Sequence, residues 1–252
     1  MKTVSVDGLD KMIKDQVLQS RCFLSDIDFR EVSYCDLADL LRKHKIKCLS
    51  IARSDLEGAD FSDLPCIKSL SFYRCNLRGA SFAKVSLRKA SFDGCMCSGA
   101  EFDGVDFKGA SIYRSHFMDA TFTDCTNLDS VHVHQTTSGL QLTCPEVGEF
   151  IAWKKCNDSS NWPAIVKLLI PADAKRSSAT TRKCRASKAK VLEIRDHLGH
   201  FTKEVSSMHA ISFKYRVGEF VEVEDFDENR WNECSSGIHF FITRKEAVEY
   251  GS

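Results

Sequence analysis

The chain has 252 residues, of which 43% are hydrophobic, enough for two units with separate cores. Its 35 basic and 35 acidic side chains cancel, and acids equal bases both from Lys47 to Cys125 and from Thr126 to Ser252, which excludes nucleic-acid binding driven by bulk charge. The opening Met-Lys-Thr-Val-Ser-Val has no apolar core and no run of roughly 18 apolar residues follows, so neither secretion nor a membrane span is expected.

From Asp7 to Leu18 apolar Leu9, Met12, Ile13, Val17 and Leu18 fall at helical spacing behind Asp7, which predicts a capped N-terminal helix. From Arg21 another pattern starts: Cys22 and Leu24, Ile27 and Phe29, Val32 and Tyr34 are pairs two apart, repeated every five residues. Asp36 to Ile46 interrupts it with Leu37, Leu40, Leu41 and Ile46, which predicts an inserted helix. The pairs resume at Leu49 and Ile51, Ser54 and Leu56, Ala59 and Phe61, Leu64 and Cys66. Phe61 and Phe72 are one residue out of step with the period, so a bulge is expected near Pro65.

Between Leu70 and Asp124 the register never slips. Phe72, Leu77, Phe82, Leu87, Phe92, Cys97, Phe102, Phe107, Ile112, Phe117 and Phe122 recur every five residues, each preceded at minus two by a smaller group such as Ala80, Cys95 or Val105. Neither a helix nor a plain strand puts both sets on one buried surface; a chain that turns a corner once per repeat does. Such a unit buries its apolar face only by stacking on its neighbour, which is the logic of a solenoid. Ser54 to Phe61, Ser-Asp-Leu-Glu-Gly-Ala-Asp-Phe, and Gly99 to Asp103, Gly-Ala-Glu-Phe-Asp, resemble the consensus of the pentapeptide-repeat family. The resemblance implies a right-handed quadrilateral β-helix with four repeats per coil, each coil advancing about 4.8 Å.

Of the twelve cysteines, Cys75, Cys95 and Cys125 occupy the minus-two slot and Cys66 and Cys97 the central one, which makes them small core hydrophobes. No CxxC pair exists, so neither a zinc ribbon nor a redox motif is expected, and a reducing, cytoplasmic setting fits.

Beyond Val131 the period is lost and an α+β domain is predicted. Strands are expected at Glu149 to Lys154, Ala164 to Ile170, Val191 to Ile194, a pair Phe213 to Tyr215 and Phe220 to Val223 across Val217-Gly218, and Ile238 to Ile242, with a closing helix from Arg244 to Tyr250. The stretches around Pro171 to Thr180, Arg182 to Ala186 and Asn232 to Phe241 resemble an uncharacterised domain that follows pentapeptide repeats in bacterial, phage and large-virus proteins; this resemblance brings no activity. The expected fold class is therefore mainly β: a capping helix over 1–20, the β-helix over 21–130 with a helical insertion near 36–46, and an α+β domain over 131–252.

Two surfaces are candidates for function. Residues twenty apart share an outer column, so Tyr73-Arg74 and Tyr113-Arg114 flank Asp93-Gly94. Tyr and Arg are frequent interface anchors, although the same residues also suit any exposed strand face. In the second domain, Lys175, Arg176, Arg182, Lys183 and Arg185 stand with Ser177 and Ser178 in an expected loop that could hold a nucleotide or other small anion. The acid-rich run from Glu219 to Glu233 offers an alternative, neutralisation within the chain. Gly237-Ile-His-Phe-Phe with Ala247 and Tyr250 resembles one fragment of ADP-ribosyltransferase domains, and no partner motif accompanies it. His239, Cys234 and Cys184 match no zinc spacing.

These readings converge on a non-enzymatic interaction module using the β-helix faces, with a protein partner, no cofactor, no metal and no catalytic residue. The family company implies a setting of interference with a host or defence protein, in the host cytoplasm if the source is viral, and allows a homodimer through a coil end. Anion binding in the second domain is the alternative. Inhibition of a type II topoisomerase by DNA mimicry, which some pentapeptide-repeat proteins perform, needs a strongly negative rod that this charge balance does not supply.

Overall fold

Turning a corner every five residues requires a backbone conformation that reverses the chain locally. Arg74, Gly79, Lys84, Lys89, Gly94, Gly99, Gly104, Gly109, Arg114, Asp119 and Asp124 all have positive φ, and each stands two residues after a central rung. The left-handed region costs an ordinary residue about 1 kcal/mol, so glycine recurs at these corners where no outer side chain is needed.

The computed structural model describes residues 1–30, 32–65 and 67–251, which fall into two units, Met1–Leu140 and Gln141–Ser252. Cys66, read above as a central rung, lies outside the described residues.

The first unit contains β1 (Lys2–Thr3), α1 (Val6–Gln16), β2 (Arg21–Ser25), β3 (Ile27–Asp28), α2 (Tyr34–Lys43), β4 (Cys48–Ala52), β5 (Ser69–Tyr73), β6 (Ser91–Asp93), β7 (Ser111–Tyr113) and β8 (His132–Val133). The strands β2-β4-β5-β6-β7-β8 form one parallel sheet in that order, with Phe72 opposite Phe92 and Phe92 opposite Ile112. Three further columns of parallel bridges run beside it: Asn76, Met96 and His116; Ser81, Glu101 and Thr121; Ser86 and Asp106 with Thr126. The chain thus winds as a β-helix with four pairing columns, one per five-residue repeat.

All eleven central side chains from Phe72 to Phe122 are buried, and so are the minus-two groups from Leu70 to Ala120 except half-buried Val85. Stacking on the coil above and below orders the rings: Phe82 and Phe102 lie 5.0 Å apart, as do Phe102 and Phe122. Pairing continues beyond the last phenylalanine, with β8 on β7 and Ser138 on His116. The apolar period hides this coil because Thr137, buried at 2% exposure, fills its interior by donating Oγ1 to the carbonyl of Ile112.

The helices differ slightly from their expected forms. Ser5 rather than Asp7 caps α1, its Oγ accepting the Gly8 N–H, while Asp7 sits in the first turn where its charge faces the helix dipole. Tyr34, expected as a rung, begins α2 instead. Its ring packs 5.9 Å from Phe61, and Leu37, Leu40 and Leu41 behind it bury at helical spacing.

The second unit consists of antiparallel sheets and one short helix: β9 (Phe150–Asn157), β10 (Pro163–Ile170), β11 (Arg176–Ser178), β12 (Cys184–Ala186), β13 (Lys188–Arg195), β14 (Glu204–Ser206), β15 (Lys214–Arg216), β16 (Phe220–Glu222), β17 (Ile238–Phe240) and α3 (Arg244–Glu249). One sheet has the order β15-β14-β9-β10-β13-β16 and the other β11-β12-β17.

The expected pairing of Phe213–Tyr215 with Phe220–Val223 is corrected: β15 pairs with β14, and β16 pairs with β13. Three residues join them. Val217 N–H donates to Lys203 O, Gly218 N–H to Val191 O, and Val191 N–H to Glu219 O, so β15 and β16 act as one bent strand that closes the six-stranded sheet on itself. Closure removes the exposed edges that a flat hairpin would leave. The segment read as a basic loop contains β11 and β12, paired antiparallel, with Ser177 opposite Arg185. Their mix of Ser and Arg gave no apolar alternation to read.

Candidate functional site

Strand β9 alternates cleanly, with Ala152, Lys154 and Cys156 pointing inward. A lysine therefore occupies a core position between two small groups. Lys154 is 9% exposed; its Nζ donates to the carbonyl of His239 at 3.0 Å and lies 5.6 Å from the centre of the Tyr215 ring. Among the described residues no carboxylate pairs with it. Burial, reinforced by the like charge of Lys183, holds its pKa below the ordinary lysine value.

Lys154 borders a cavity of about 520 Å³ within the second unit. Lys155 and Lys183 also line it, and no Asp or Glu does. Lys155 Nζ donates to the carbonyls of Tyr250 and Val248, at 2.7 and 3.2 Å. Lys183 Nζ donates to Cys234 Sγ at 3.2 Å and stands 3.8 Å from the Glu233 carboxylate. His239 donates Nε2–H to the carbonyl of Glu233 at 3.1 Å, and burial beside Lys154 pushes its pKa down to about 4, so the ring is neutral at pH 7. Two aromatic pairs complete the walls: Phe213 with Tyr215 at 5.4 Å, and Phe241 with Tyr250 at 5.2 Å. A positive pocket with aromatic walls is suited to an anion that carries a ring.

Of the anion-binding residues read from sequence, Lys183 lines this cavity and the others lie outside its lining, all but Ser177 with side-chain partners elsewhere. Lys175 pairs with Glu228, and Arg182 with Glu246 at 2.6 Å. Arg176 donates to main-chain carbonyls, among them Gly148 at 2.7 Å and Pro171 at 2.8 Å. Arg185, 1% exposed, donates to the carbonyls of Asp227, Ser236 and Asn229. Ser178 Oγ accepts the Thr143 N–H, and the buried Ser177 hydroxyl meets no partner among the described residues. The basic segment and the acidic run do pair in places, Lys175 with Glu228 and Lys183 with Glu233. Among the described residues no three His, Cys, Asp or Glu side chains stand together as a metal shell.

Lys154 and Lys155 escaped the sequence reading. The available signal was a lysine in phase with the inward set of Ile-Ala-Trp-Lys-Lys-Cys, where alternation predicts an apolar residue. Gly237, read within a transferase-like fragment, has a packing reason of its own: its φ is +153°, and a Cβ there would stand 3.1 Å from Arg185 Cβ.

On the β-helix, Tyr73, Asp93 and Tyr113 stand in register on one wall, and Arg74, Gly94 and Arg114 turn the adjoining corner. Arg114 grips the Asp93 carboxylate with both Nε and Nη2, at 2.6 to 2.9 Å. The Arg74 guanidinium lies 5.2 Å from the centre of the Tyr73 ring, and Arg74 Cγ comes within 3.2 Å of where a Gly94 Cβ would be. Tyr113 packs near His132 and His134. The four residues thus share a patch of mixed charge on which Tyr73 is 37% exposed.

Coils of four pairing columns, followed in the chain by a closed antiparallel sheet, describe a repeat protein with an appended domain. Residues 71–109 match the pentapeptide repeats, in eight copies, and residues 140–247 match a family of unknown function, DUF5758. The chain carries a pentapeptide-repeat region followed by a DUF5758 domain. No curated protein matches it significantly. Among solved structures it is similar to QnrB1, a plasmid-mediated fluoroquinolone resistance protein, at 22% identity over 36% of this chain and 44% of that one, with a TM-score of 0.27. HetL, a pentapeptide-repeat protein involved in heterocyst differentiation regulation in Nostoc sp. strain PCC 7120, matches at 20% identity over 44% of this chain and 45% of that one, with a TM-score of 0.30. Rfr23, a pentapeptide-repeat protein from Cyanothece 51142, matches at 13% identity over 51% and 97%, with a TM-score of 0.35. The chain spans less than half the length of the first two. No helix among the described residues is long and apolar enough to cross a membrane.

Proposed function

We propose that the chain is a non-enzymatic binding protein in two parts. The C-terminal domain takes up a small anion bearing an aromatic ring, of the nucleotide class, and the right-handed quadrilateral β-helix offers its wall to a protein partner. The observation that carries the first part is Lys154, a buried ammonium that faces a cavity without acids and has no carboxylate partner among the described residues. Such a charge is costly to hold dry, and an incoming anion relieves that cost.

Thermal shift of the full chain with ATP, NAD and inorganic polyphosphate tests this. A ligand at 100 times its Kd adds about 2.7 kcal/mol of stability, and Lys154→Met, which keeps the volume and removes the charge, abolishes the gain. An equal shift in Lys154→Met, or none with any probe, refutes the assignment. Stabilisation by polyphosphate alone would remove the aromatic walls from the account.

The second part is favoured by the wall on which Tyr73, Asp93 and Tyr113 align with Arg74 and Arg114. Interference with a host or defence protein is the setting that the family resemblance suggests. The double substitution Tyr73→Ala, Tyr113→Ala is expected to weaken capture of the rod's protein partner from lysate about tenfold. If every protein captured by the parent chain is retained by the variant, these anchors are wrong. DNA mimicry gains no support: Asp26 pairs with Arg53, Asp93 with Arg114 and Asp106 with Arg88, which interrupts any negative stripe through them.

A further inference from the structure

Cys234 is exposed and belongs to the cavity lining, and its sulfur accepts a hydrogen bond from Lys183 Nζ at 3.2 Å. The Lys183 side chain is only 13% exposed, so its charge is weakly screened where it meets the sulfur. A positive charge held against the sulfur draws an anionic reagent to it. Glu233 shares the same ammonium at 3.8 Å. A second, independent feature of the cavity points to a negatively charged visitor: the buried Lys154 ammonium, which among the described residues bonds a neutral carbonyl and no carboxylate.

We infer that Cys234 is a modification site for anionic low-molecular-weight disulfides, a class that includes oxidised glutathione. The Cys234 thiolate attacks one sulfur of the disulfide, a new sulfur–sulfur bond forms, the original one breaks, and the leaving thiolate carries away the electron pair. Cys234 is oxidised and one sulfur of the reagent is reduced, so no further oxidant is needed. The inference rests on the positive lining used for the anion reading, but its product is covalent and needs no nucleotide.

The chain contains its own control. Cys35 is the other exposed free cysteine among the described residues, and its sulfur lies 4.0 Å from the Asp63 carboxylate, a neighbour of the opposite sign. The full chain is treated at neutral pH with oxidised glutathione, which is negative, or with cystamine, which is positive, and adducts are mapped by mass spectrometry over time. Oxidised glutathione is expected to label Cys234 about tenfold or more faster than Cys35, and cystamine to shrink or reverse that ratio. Lys183→Met lowers the glutathione rate at Cys234 about tenfold while leaving Cys35 unchanged.

Equal labelling of the two cysteines by oxidised glutathione overturns the inference. So does the same preference with both reagents, because exposure alone would then account for it, and so does an unaltered rate in Lys183→Met. Should that variant fail to fold, the two-reagent comparison on the parent chain decides. A nucleotide-dependent thermal shift that survives any of these failures shows that the anion reading stands without the cysteine.

Discussion

Phe102→Ala is expected to destabilise the β-helix by about 4 kcal/mol, with loss of amide protection in the coils on either side. Phe102 is fully buried, and five other phenylalanines surround it: Phe82 and Phe122 stacked at 5.0 Å, with Phe92, Phe107 and Phe117 within 5.9 Å. Truncation to Ala removes the transfer energy of a large side chain and leaves a cavity. The walls of that cavity are held by main-chain pairing with the coils above and below, so they collapse only partly. Phe102→Leu, which keeps most of the volume, should cost under about 1.5 kcal/mol. Hydrogen exchange resolves the effect by position, since a solenoid unit depends chiefly on its neighbours. Expected first are faster exchanges at Phe82 and at position 102, whose N–H groups donate to the carbonyls of Glu101 and Thr121 in the parent chain. A variant as protected as the parent would show that the stacked column is not what holds the coils together.

The rod was legible because its determinants are local and repeated. A five-residue period needs one apolar residue inward, one small residue at minus two and one residue tolerant of positive φ, and every unit from Phe72 to Phe122 restates that demand. Where a coil solves the same problem with a polar interior, as at Thr137, the period is lost although the winding continues. The second unit was less legible because its contacts are not local. Nothing near Phe213 or Phe220 says that the two strands they introduce pair with β14 and β13 rather than with each other; that follows from closure of the whole sheet. The same applies to charge. Arg185 and Lys183 are two residues apart in sequence, yet one is consumed by main-chain carbonyls and the other borders the cavity, and only the fold separates those fates. Lys154 was concealed by the opposite effect, since a lysine at the end of an expected strand looks like an ordinary solvated residue until β9 is seen to run on through Asn157.

Arg185→Met is expected to lower the stability of the second unit by on the order of 3 to 5 kcal/mol. Arg185 sits at the centre of β12, and its guanidinium reaches the carbonyls of Asp227 at 3.0 Å, Ser236 at 2.7 Å and Asn229 at 3.0 Å while lying 5.2 Å from the centre of the Phe226 ring. Burial opposes its charge, and Asp227 partly offsets that penalty. Three carbonyls of the 225–237 segment thus accept from one planar donor; Ser236 O also accepts the Asp227 N–H at 3.4 Å and Asn229 O the Asn232 N–H at 3.2 Å. Met fills similar space but donates nothing, so Asp227 O loses its donor and the other two carbonyls keep only their longer main-chain bonds, which loosens the segment toward water. Lys in the same place keeps the charge without the fork and should recover only part of the loss. All three tryptophans, Trp153, Trp162 and Trp231, belong to this unit, so urea unfolding followed by tryptophan fluorescence reports it directly. Because Cys234, Ser236 and Gly237 of that segment border the cavity, the variant should also lose the stabilisation expected from nucleotides in the parent chain. An unchanged midpoint together with a lost ligand response would mean that Arg185 serves the anion rather than the fold; an unchanged midpoint with an intact response would mean that the three carbonyls find other donors. The expected outcome is a lowered midpoint with Met and an intermediate one with Lys, because one buried guanidinium ties three points of the segment to β12 where its main-chain bonds join it only to itself.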